Sequence, residues 1–187
     1  MNRRDRIAND DLGAAGLLSR LHMLLHAAAT SPADAGVLKL ALIQAAAATG
    51  ADSAVLGTMR DRDLIDVTLL PGAGDPVHDV GVLPVGSRYP LTDVILRGRP
   101  VWLTSPREIR LAYPVGGALW GFAFAGAPLL LRGVPIGAVG LIHDNAAHCF
   151  TAVERVFVSA VADVCATVLS HTRASSPLGN GTPVADG

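Results

Sequence analysis

The sequence predicts an α+β fold, and three observations lead to this class. Apolar residues recur at helical spacing in two segments near the start of the chain and in one segment near its end. Short apolar runs separated by turn residues lie between these segments and indicate antiparallel strands. Two of the runs flank Arg132-Gly133-Val134-Pro135, which is the pattern of a β-hairpin. We therefore expect a single domain over residues 12–171.

The composition excludes several classes of protein. Half of the 187 residues are hydrophobic, 17% are charged and the formal net charge is −1, so no long-range field attracts nucleic acid or an anionic membrane. Cys149 and Cys165 are too few for a disulfide framework and are typical of a reducing compartment. Polar residues interrupt the apolar run that a signal peptide requires, and glycines and prolines interrupt the uncharged stretch 111–131. We therefore expect a cytoplasmic protein that binds neither nucleic acid nor a membrane.

The N-terminal part is predicted as a flexible segment, residues 1–11, followed by two helices. The first helix spans Leu12–Ala29. Its apolar seam consists of Leu17, Leu21, Leu24 and Ala28. The second helix spans Ala33–Thr49, with Ser31 as its N-cap and Gly50 as its stop signal.

The middle of the chain alternates strands with short helices. Apolar runs predict strands at residues 53–60, 64–70 and 101–103, and a shorter apolar piece lies at 80–85. One short helix ends at Gly98. A second helix starts after Ser105, with Pro106 in its first position and Glu108 two residues further on, and it stops at Pro114.

The final third of the chain contains the hairpin strands 122–131 and 135–143 and then a long helix. Thr151 and Glu154 form a capping box that starts this helix at Ala152. Its polar residues form one narrow stripe: Arg155, Ser159, Asp163, Thr167 and Ser170. Because apolar residues occupy most of its circumference, the helix must bury two faces. The Ser-, Pro- and Gly-rich tail 172–187 is expected to be disordered.

These elements, in this order, resemble a GAF domain. The residues that carry the resemblance are "GRPVWL" from Gly98, "SPREIRLAYP" from Ser105, "APLLLRGVPIGAVGLI" from Ala127 and "FTAVERVFVSAVADVCATVL" from Phe150. The resemblance covers residues 33–170. It implies a central antiparallel β-sheet with the N- and C-terminal helices on one face and a loop and short-helix segment over the other. It also implies a homodimer that forms through the first and last helices.

The two strand glycines Gly137 and Gly140 have two interpretations. Within the fold that the resemblance implies, they would let the helix layer approach the sheet. The alternative is the close approach of a ligand, and we favour the helix layer because strand glycines usually serve packing.

A candidate ligand site is suggested by the clustering of aromatic residues in a chain that has few of them. The predicted ligand-binding residues are Tyr89, Trp102, Tyr113, Trp120, Phe122 and His143. The aromatic residues among them lie, with Phe124, between residues 89 and 124, and the resemblance implies that this segment covers the ligand pocket. The same aromatic side chains could instead fill a second core without leaving a cavity.

No catalytic or metal-binding motif is recognisable. The sequence has no phosphate-binding glycine loop, no nucleophile elbow and no His-Glu-x-x-His, and the signature of cyclic-nucleotide-binding GAF domains is missing. His22 and His26 lie one turn apart, but no third metal ligand accompanies them. The loop His143-Asp144-His148-Cys149 has the atoms for a metal or a redox-sensitive thiol, although its spacing matches no standard site.

We therefore expect a non-catalytic bacterial sensory or regulatory module that signals through a helical homodimer. It would bind an unidentified small molecule, a regulatory protein or both, and the residues identify no cofactor. Since no output domain is recognisable in the sequence, the signal would pass to another chain. Two alternatives stay open: a ligand-free protein-interaction module, and a small redox enzyme that uses Cys149.

Overall fold

The computed structural model describes residues 3–72, 78–114, 122–144 and 147–175, which form five helices and a six-stranded sheet. The helices are α1 (Arg3–Thr30), α2 (Ala35–Thr49), α3 (Pro90–Arg97), α4 (Pro106–Ala112) and α5 (Ala152–Ser175). The strands are β1 (Ser53–Met59), β2 (Leu64–Leu70), β3 (His78–Pro84), β4 (Val101–Leu103), β5 (Phe122–Leu131) and β6 (Val134–Asp144). The predicted α+β class is confirmed.

The sheet has the strand order β3-β2-β1-β6-β5-β4, and every neighbouring pair is antiparallel. Its longest pairing is the predicted hairpin of β5 and β6. Leu131 pairs with Val134, so the turn consists of Arg132 and Gly133 alone, at φ values of 52° and 80°. Two consecutive positive φ values are typical of the type I′ turn, whose twist matches that of the strands it joins. This two-residue turn explains why β6 starts at Val134 rather than at Pro135.

Two of the terminal helices, α2 and α5, pack directly on one face of the sheet, and α1 lies against both of them. Alternate residues of β5 and β6 form the sheet side of this core: Ala125, Ala127, Leu129, Val139 and Leu141. The small alanine side chains let α5 approach the sheet closely. Fully buried Leu24, Leu42 and Val161 supply the helix side of the same core.

The apolar seam of α1 is buried within its own chain. Leu24 is fully buried, and Leu17, Leu21 and Ala28 pack partly buried against the core that α2 and α5 share. The second apolar face of α5 is therefore covered at least in part by α1 of the same molecule. The homodimer through the first and last helices stays a prediction, and it would have to use the residues of these helices that remain exposed.

The other face of the sheet carries α3 and α4 over a second, smaller core. Its buried residues include Val55, Ile65, Val94, Ile109 and Phe124. As predicted, α3 ends at Gly98, which has a left-handed φ of 58°. The predicted start of α4 is also confirmed, because Ser105 Oγ accepts a hydrogen bond from the Glu108 backbone N–H at 3.3 Å.

Three helix boundaries differ from the sequence-based expectation. The first helix begins at Arg3 rather than at Leu12, since each residue added to an existing helix gains a backbone hydrogen bond even where the side chains are polar. The N-cap of α2 is Asp34 rather than Ser31, and its Oδ1 accepts from the Gly36 N–H at 2.7 Å. The last helix continues to Ser175. Residues 1–2 and 176–187 of the predicted flexible termini lie outside the described residues.

None of the described helices combines the length and the apolar character that crossing a bilayer requires.

Candidate functional site

An apolar cavity of about 170 Å³ that is partly open to solvent lies between the sheet and α3. Its lining comes from five strands, from α3 and from the residue that precedes α3: Val55, Val67, Leu83, Tyr89, Pro90, Leu91, Phe122, Phe124 and Ile142. No charged side chain is among these lining residues. We call this space the apolar cavity.

The floor of the apolar cavity is formed by Phe124 lying on two paired glycines. Gly126 and Gly140 are directly opposite each other on β5 and β6. A Cβ atom at either glycine would lie 2.7 Å from the Phe124 ring, which shows that the ring rests on the bare backbone of both strands. At Gly140 the same Cβ would also lie 2.7 Å from Val55 Cγ1. Aromatic side chains commonly cover strand glycines in this way.

The expected role of the strand glycines is therefore wrong in its detail. Gly140 faces Phe124 and Val55 on the cavity side of the sheet, not the terminal helices. At Gly137 an added Cβ would lie 2.3 Å from the backbone carbonyl oxygen of Gly57 on β1. The Phe124 ring therefore approaches Gly140, and the backbone of β1 approaches Gly137.

The predicted ligand-binding residues are divided between two places. Tyr89 and Phe122 line the apolar cavity. Tyr113 is buried in the adjoining core, where its hydroxyl donates a 2.8 Å hydrogen bond to Asp93 Oδ2; burial and then the Asp93 carboxylate raise its pKa. Trp120 lies outside the described residues. The cavity also uses apolar strand residues that sequence reasoning missed, because a strand residue that lines a cavity has the same pattern as one that fills a core.

Trp102 and His143 face the opposite side of the sheet, so their assignment to the ligand site is corrected. His143 lies two residues after Leu141 on β6, and strand residues two apart share a face. Trp102 pairs with Ala125 and packs against the core of the terminal helices. The alternation of β6 in the sequence already contained the signal for His143. For Trp102 the strand is only three residues long, which is too short to establish a pattern.

Trp102, His143, His148 and Phe150 form a second feature, which we call the histidine cluster. The rings of His143 and His148 stack with centroids 4.0 Å apart, and Phe150 lies edge-on to His143 at 5.4 Å. The ring centroids of Trp102 and Phe150 are 5.6 Å apart, and the Arg155 guanidinium lies 5.4 Å from the centre of the Trp102 ring. The cluster joins the end of the sheet to the first turn of α5.

The polar contacts of the histidine cluster connect it to the start of α5. His148 Nε2 lies 3.2 Å from Glu154 Oε1. The other Glu154 oxygen accepts from the Thr151 N–H at 2.7 Å, and Thr151 Oγ1 accepts from the Glu154 N–H at 3.2 Å. The capping box predicted from the sequence is thus confirmed. The Glu154 carboxylate also contacts His148, so this side chain both caps the start of α5 and contacts the histidine cluster.

His143 is the one member of the cluster whose polar group is buried without a hydrogen bond. Only 4% of the residue is exposed, and Nε2 has no hydrogen-bond partner among the described residues. Burial lowers the pKa of His143, and the nearby His148 lowers it further. The carboxylates of Asp52 and Glu154 act in the opposite direction but do not reverse the shift.

The described residues contain no group of three or more His, Cys, Asp or Glu side chains arranged to hold a metal ion. In the loop that follows β6, Cys149 is exposed, and the Asp144 N–H donates to Asp52 Oδ2 at 2.7 Å. Cys165 is buried in the helix core, and burial raises the pKa of its thiol to about 12. On α1, His22 and His26 are both exposed.

The fold agrees with the family to which the sequence can be assigned. The pattern that defines the GAF domain matches residues 35–170, which is more than half of the chain. The chain therefore belongs to the GAF domain family, whose members are commonly sensory or regulatory.

Solved structures with the same fold come from several functional settings. The GAF domain of a phosphoenolpyruvate-protein phosphotransferase from Coxiella burnetii is 19% identical, with a TM-score of 0.68 over 88% of this chain and 99% of that one. The corresponding domain from Acinetobacter is 16% identical, with a TM-score of 0.67 over 84% and 95%. Free methionine-R-sulfoxide reductase from Neisseria meningitidis, in complex with its substrate, is 16% identical, with a TM-score of 0.64 over 86% and 92%. At these identities the similarity shows the fold alone. A search among curated proteins finds no match.

Proposed function

We propose that this GAF domain is a non-catalytic sensory or regulatory module that binds a small molecule in the apolar cavity. The observation that carries the proposal is the space of about 170 Å³ between the sheet and α3. Tyr89 and Phe122, two of the aromatic residues expected to contact a ligand, both line it. A concave and mainly apolar space of this kind is the default location for a small-molecule site.

The strands β5 and β6 supply a route from the cavity to α5. Phe122 and Ile142 line the cavity, whereas the next residues along each strand, Ala123 and His143, are buried on the opposite face. His143 stacks on His148, which contacts Glu154 in the first turn of α5. A ligand that binds one arrangement of these strands more tightly than another would shift the population of α5 positions.

The signal would leave the domain through a homodimer formed by the outer faces of α1 and α5. Leu18 and Leu25 on α1 are 67% and 51% exposed, and Val156 on α5 is 70% exposed. A groove between the two helices runs past Leu25 and Ala160. Covering these side chains with a second copy would remove apolar surface from water on a two-fold-symmetric contact.

A ligand-free protein-interaction module is the second candidate. The observation that favours it is the size of the cavity, because 170 Å³ is below the range of about 300–1,000 Å³ that is usual for ligand pockets. In that case the exposed faces of α1 and α5 would bind a regulatory protein directly.

A cysteine-dependent redox enzyme has less support. Cys149 is exposed, but Cys165 lies thirteen residues beyond Ala152 in α5, which places it roughly 20 Å along the helix. Because Cys165 is also buried, the two thiols do not form a pair that could exchange a disulfide.

Native mass spectrometry of freshly purified protein tests the main proposal. We expect the wild-type protein to carry a bound small molecule and a Val67→Phe variant, in which the new ring occupies the cavity, to lose it. Light scattering on the same samples should give the mass of a dimer. If mass spectrometry finds only the mass of the bare chain, the interaction module is favoured. If light scattering finds a monomer, the proposed signalling route through α1 and α5 is wrong.

A further inference from the structure

We infer that the apolar cavity takes an uncharged, mainly apolar ligand of about the size of one aromatic ring. This inference rests on the proposed function, because it names the class of molecule that the same cavity binds. It is carried by the chemistry of the lining, by the polar groups of α3 and by the volume.

The described part of the lining offers a ligand no ionic partner. Of its nine described residues, eight have hydrocarbon side chains, and Tyr89 has a hydroxyl group. The backbone groups of the strands beneath are engaged in the ladders between β1, β6 and β5. A carboxylate, phosphate or ammonium group that entered this space would lose its hydration without a compensating contact, which is strongly unfavourable.

The polar side chains of α3 are committed to other partners. Asp93 Oδ2 accepts the Tyr113 hydroxyl at 2.8 Å and also binds the Arg97 guanidinium at 2.8 Å. Thr92 Oγ1 accepts from the Tyr89 N–H at 3.1 Å and donates to the Tyr89 carbonyl oxygen at 2.8 Å. The helix that covers the cavity therefore presents Pro90 and Leu91 to a ligand rather than a charge.

The volume limits the size of the ligand. An apolar cavity of about 150 Å³ lined by Leu, Ile and Phe is large enough to bind benzene, so a partly open space of 170 Å³ holds about one ring, and any larger part of a ligand would extend into solvent. Three aromatic residues, Tyr89, Phe122 and Phe124, border the space. Aromatic rings gain edge and face contacts with one another, which favours a planar aromatic guest over an aliphatic guest of equal volume.

The experiment compares benzene with benzoate, which adds one negative charge to the same ring. Each compound is titrated into protein with ¹³C-labelled methyl groups, and chemical shifts are followed by NMR. We expect saturable benzene binding with shift changes concentrated at Val55, Val67, Leu83, Leu91 and Ile142. Benzoate should bind at least about tenfold more weakly, as expected when a charge is buried without a partner.

Two cavity-filling variants and one control locate the binding. Val67→Phe should abolish the benzene-dependent shifts, and Leu83→Phe provides the same test if the first variant does not fold. Val82→Phe is the control. It makes the same Val-to-Phe change as Val67→Phe, but on β3 at a residue that is 43% exposed, and it should leave benzene binding unchanged.

The outcomes separate this inference from the proposed function. Benzene binding that is lost only in the cavity-filling variants supports both. Tighter binding of benzoate, or a charged molecule retained in the purified cavity, overturns the apolar class while leaving the cavity a ligand site. A folded protein that binds neither compound and retains no molecule on purification overturns both.

Discussion

Replacing His143 with leucine should make the protein less sensitive to acid. In the wild-type protein His143 is 4% exposed, its Nε2 has no hydrogen-bond partner among the described residues, and burial lowers its pKa. The unfolded chain takes up a proton on this side chain near its ordinary pKa of about 6.5. The folded chain takes it up only at lower pH. Protons therefore bind the unfolded state preferentially below about pH 6.5, and acidification favours unfolding.

The magnitude follows from the proton count. One proton bound by the unfolded state but not by the folded state changes the free energy of unfolding by up to about 1.4 kcal/mol per pH unit. This loss begins near pH 6.5 and stops once the pH falls below the lowered pKa of folded His143. His143→Leu removes that slope. Around pH 8 the variant loses ring contacts to His148 and Phe150, worth about 0.5–1.5 kcal/mol, and gains about 1–3 kcal/mol by removing a buried polar atom without a partner.

Urea unfolding followed by circular dichroism, at intervals from pH 8 to pH 5, measures this difference. The free energy of unfolding of His143→Leu relative to wild type should rise as the pH falls through 6.5. His22→Leu is the matched control, because it makes the same substitution at a histidine that is exposed on α1. Parallel stability profiles for wild type and His143→Leu would refute the reasoning and would mean that folded His143 takes up its proton as readily as the unfolded chain does.

Three further predictions use other parts of the molecule. Gly137→Ala should lower the free energy of unfolding by more than Gly140→Ala does. Its Cβ would meet the Gly57 carbonyl oxygen at 2.3 Å, whereas at Gly140 only side chains must yield, at a cost of about 1–3 kcal/mol. Leu25→Glu should convert the proposed dimer into a folded monomer, as measured by light scattering, because this residue is 51% exposed and lies outside the core. Cys149→Ser should leave the thermal midpoint and ligand binding unchanged, because the exposed thiol has no assigned role.

Each of these predictions has an outcome that contradicts it. If urea unfolding gave the same loss of free energy of unfolding for Gly137→Ala and Gly140→Ala, the backbone of β1 would have to shift as easily as the side chains around Gly140. A Leu25→Glu protein that stays dimeric places the dimer contact elsewhere, and Leu21→Glu is not a substitute because it puts a charge into the intrachain core. A Cys149→Ser protein that loses a measurable redox activity would support the enzyme alternative.

Local signals in the sequence were sufficient for most of the fold. The hairpin strands, the capping box of Thr151 and Glu154 and the stop at Gly98 depend on residues close together in the chain. Apart from the helix boundaries, the differences involve partners that are distant in sequence. The seam of α1 indicated that a face is buried, but a periodic pattern does not say whether the covering helix belongs to the same chain or to another.

The candidate site was predicted less well for the same reason. Clustering of aromatic residues drew attention to Tyr89 and Phe122, which line the cavity, but neighbouring positions on a strand point to opposite faces of the sheet. His143 and Trp102 are therefore close to the cavity in sequence and separated from it by the sheet. The hydrocarbon lining, exemplified by Val55 and Leu83, carries no local signal that distinguishes a cavity wall from a filled core.

The ring of Phe124 on the paired glycines has an evolutionary consequence. The depth of the cavity depends strongly on one side chain, because the Phe124 ring lies directly on the backbone at Gly126 and Gly140, with Val94 and Val55 beside it. A single codon change to a smaller residue at position 124 would lower the floor by the thickness of an aromatic ring, about 3.5 Å. The strands beneath would keep their pairing, since the glycines already bring no side chain of their own. A domain with that change would have a larger cavity without new loops and without rebuilding the sheet.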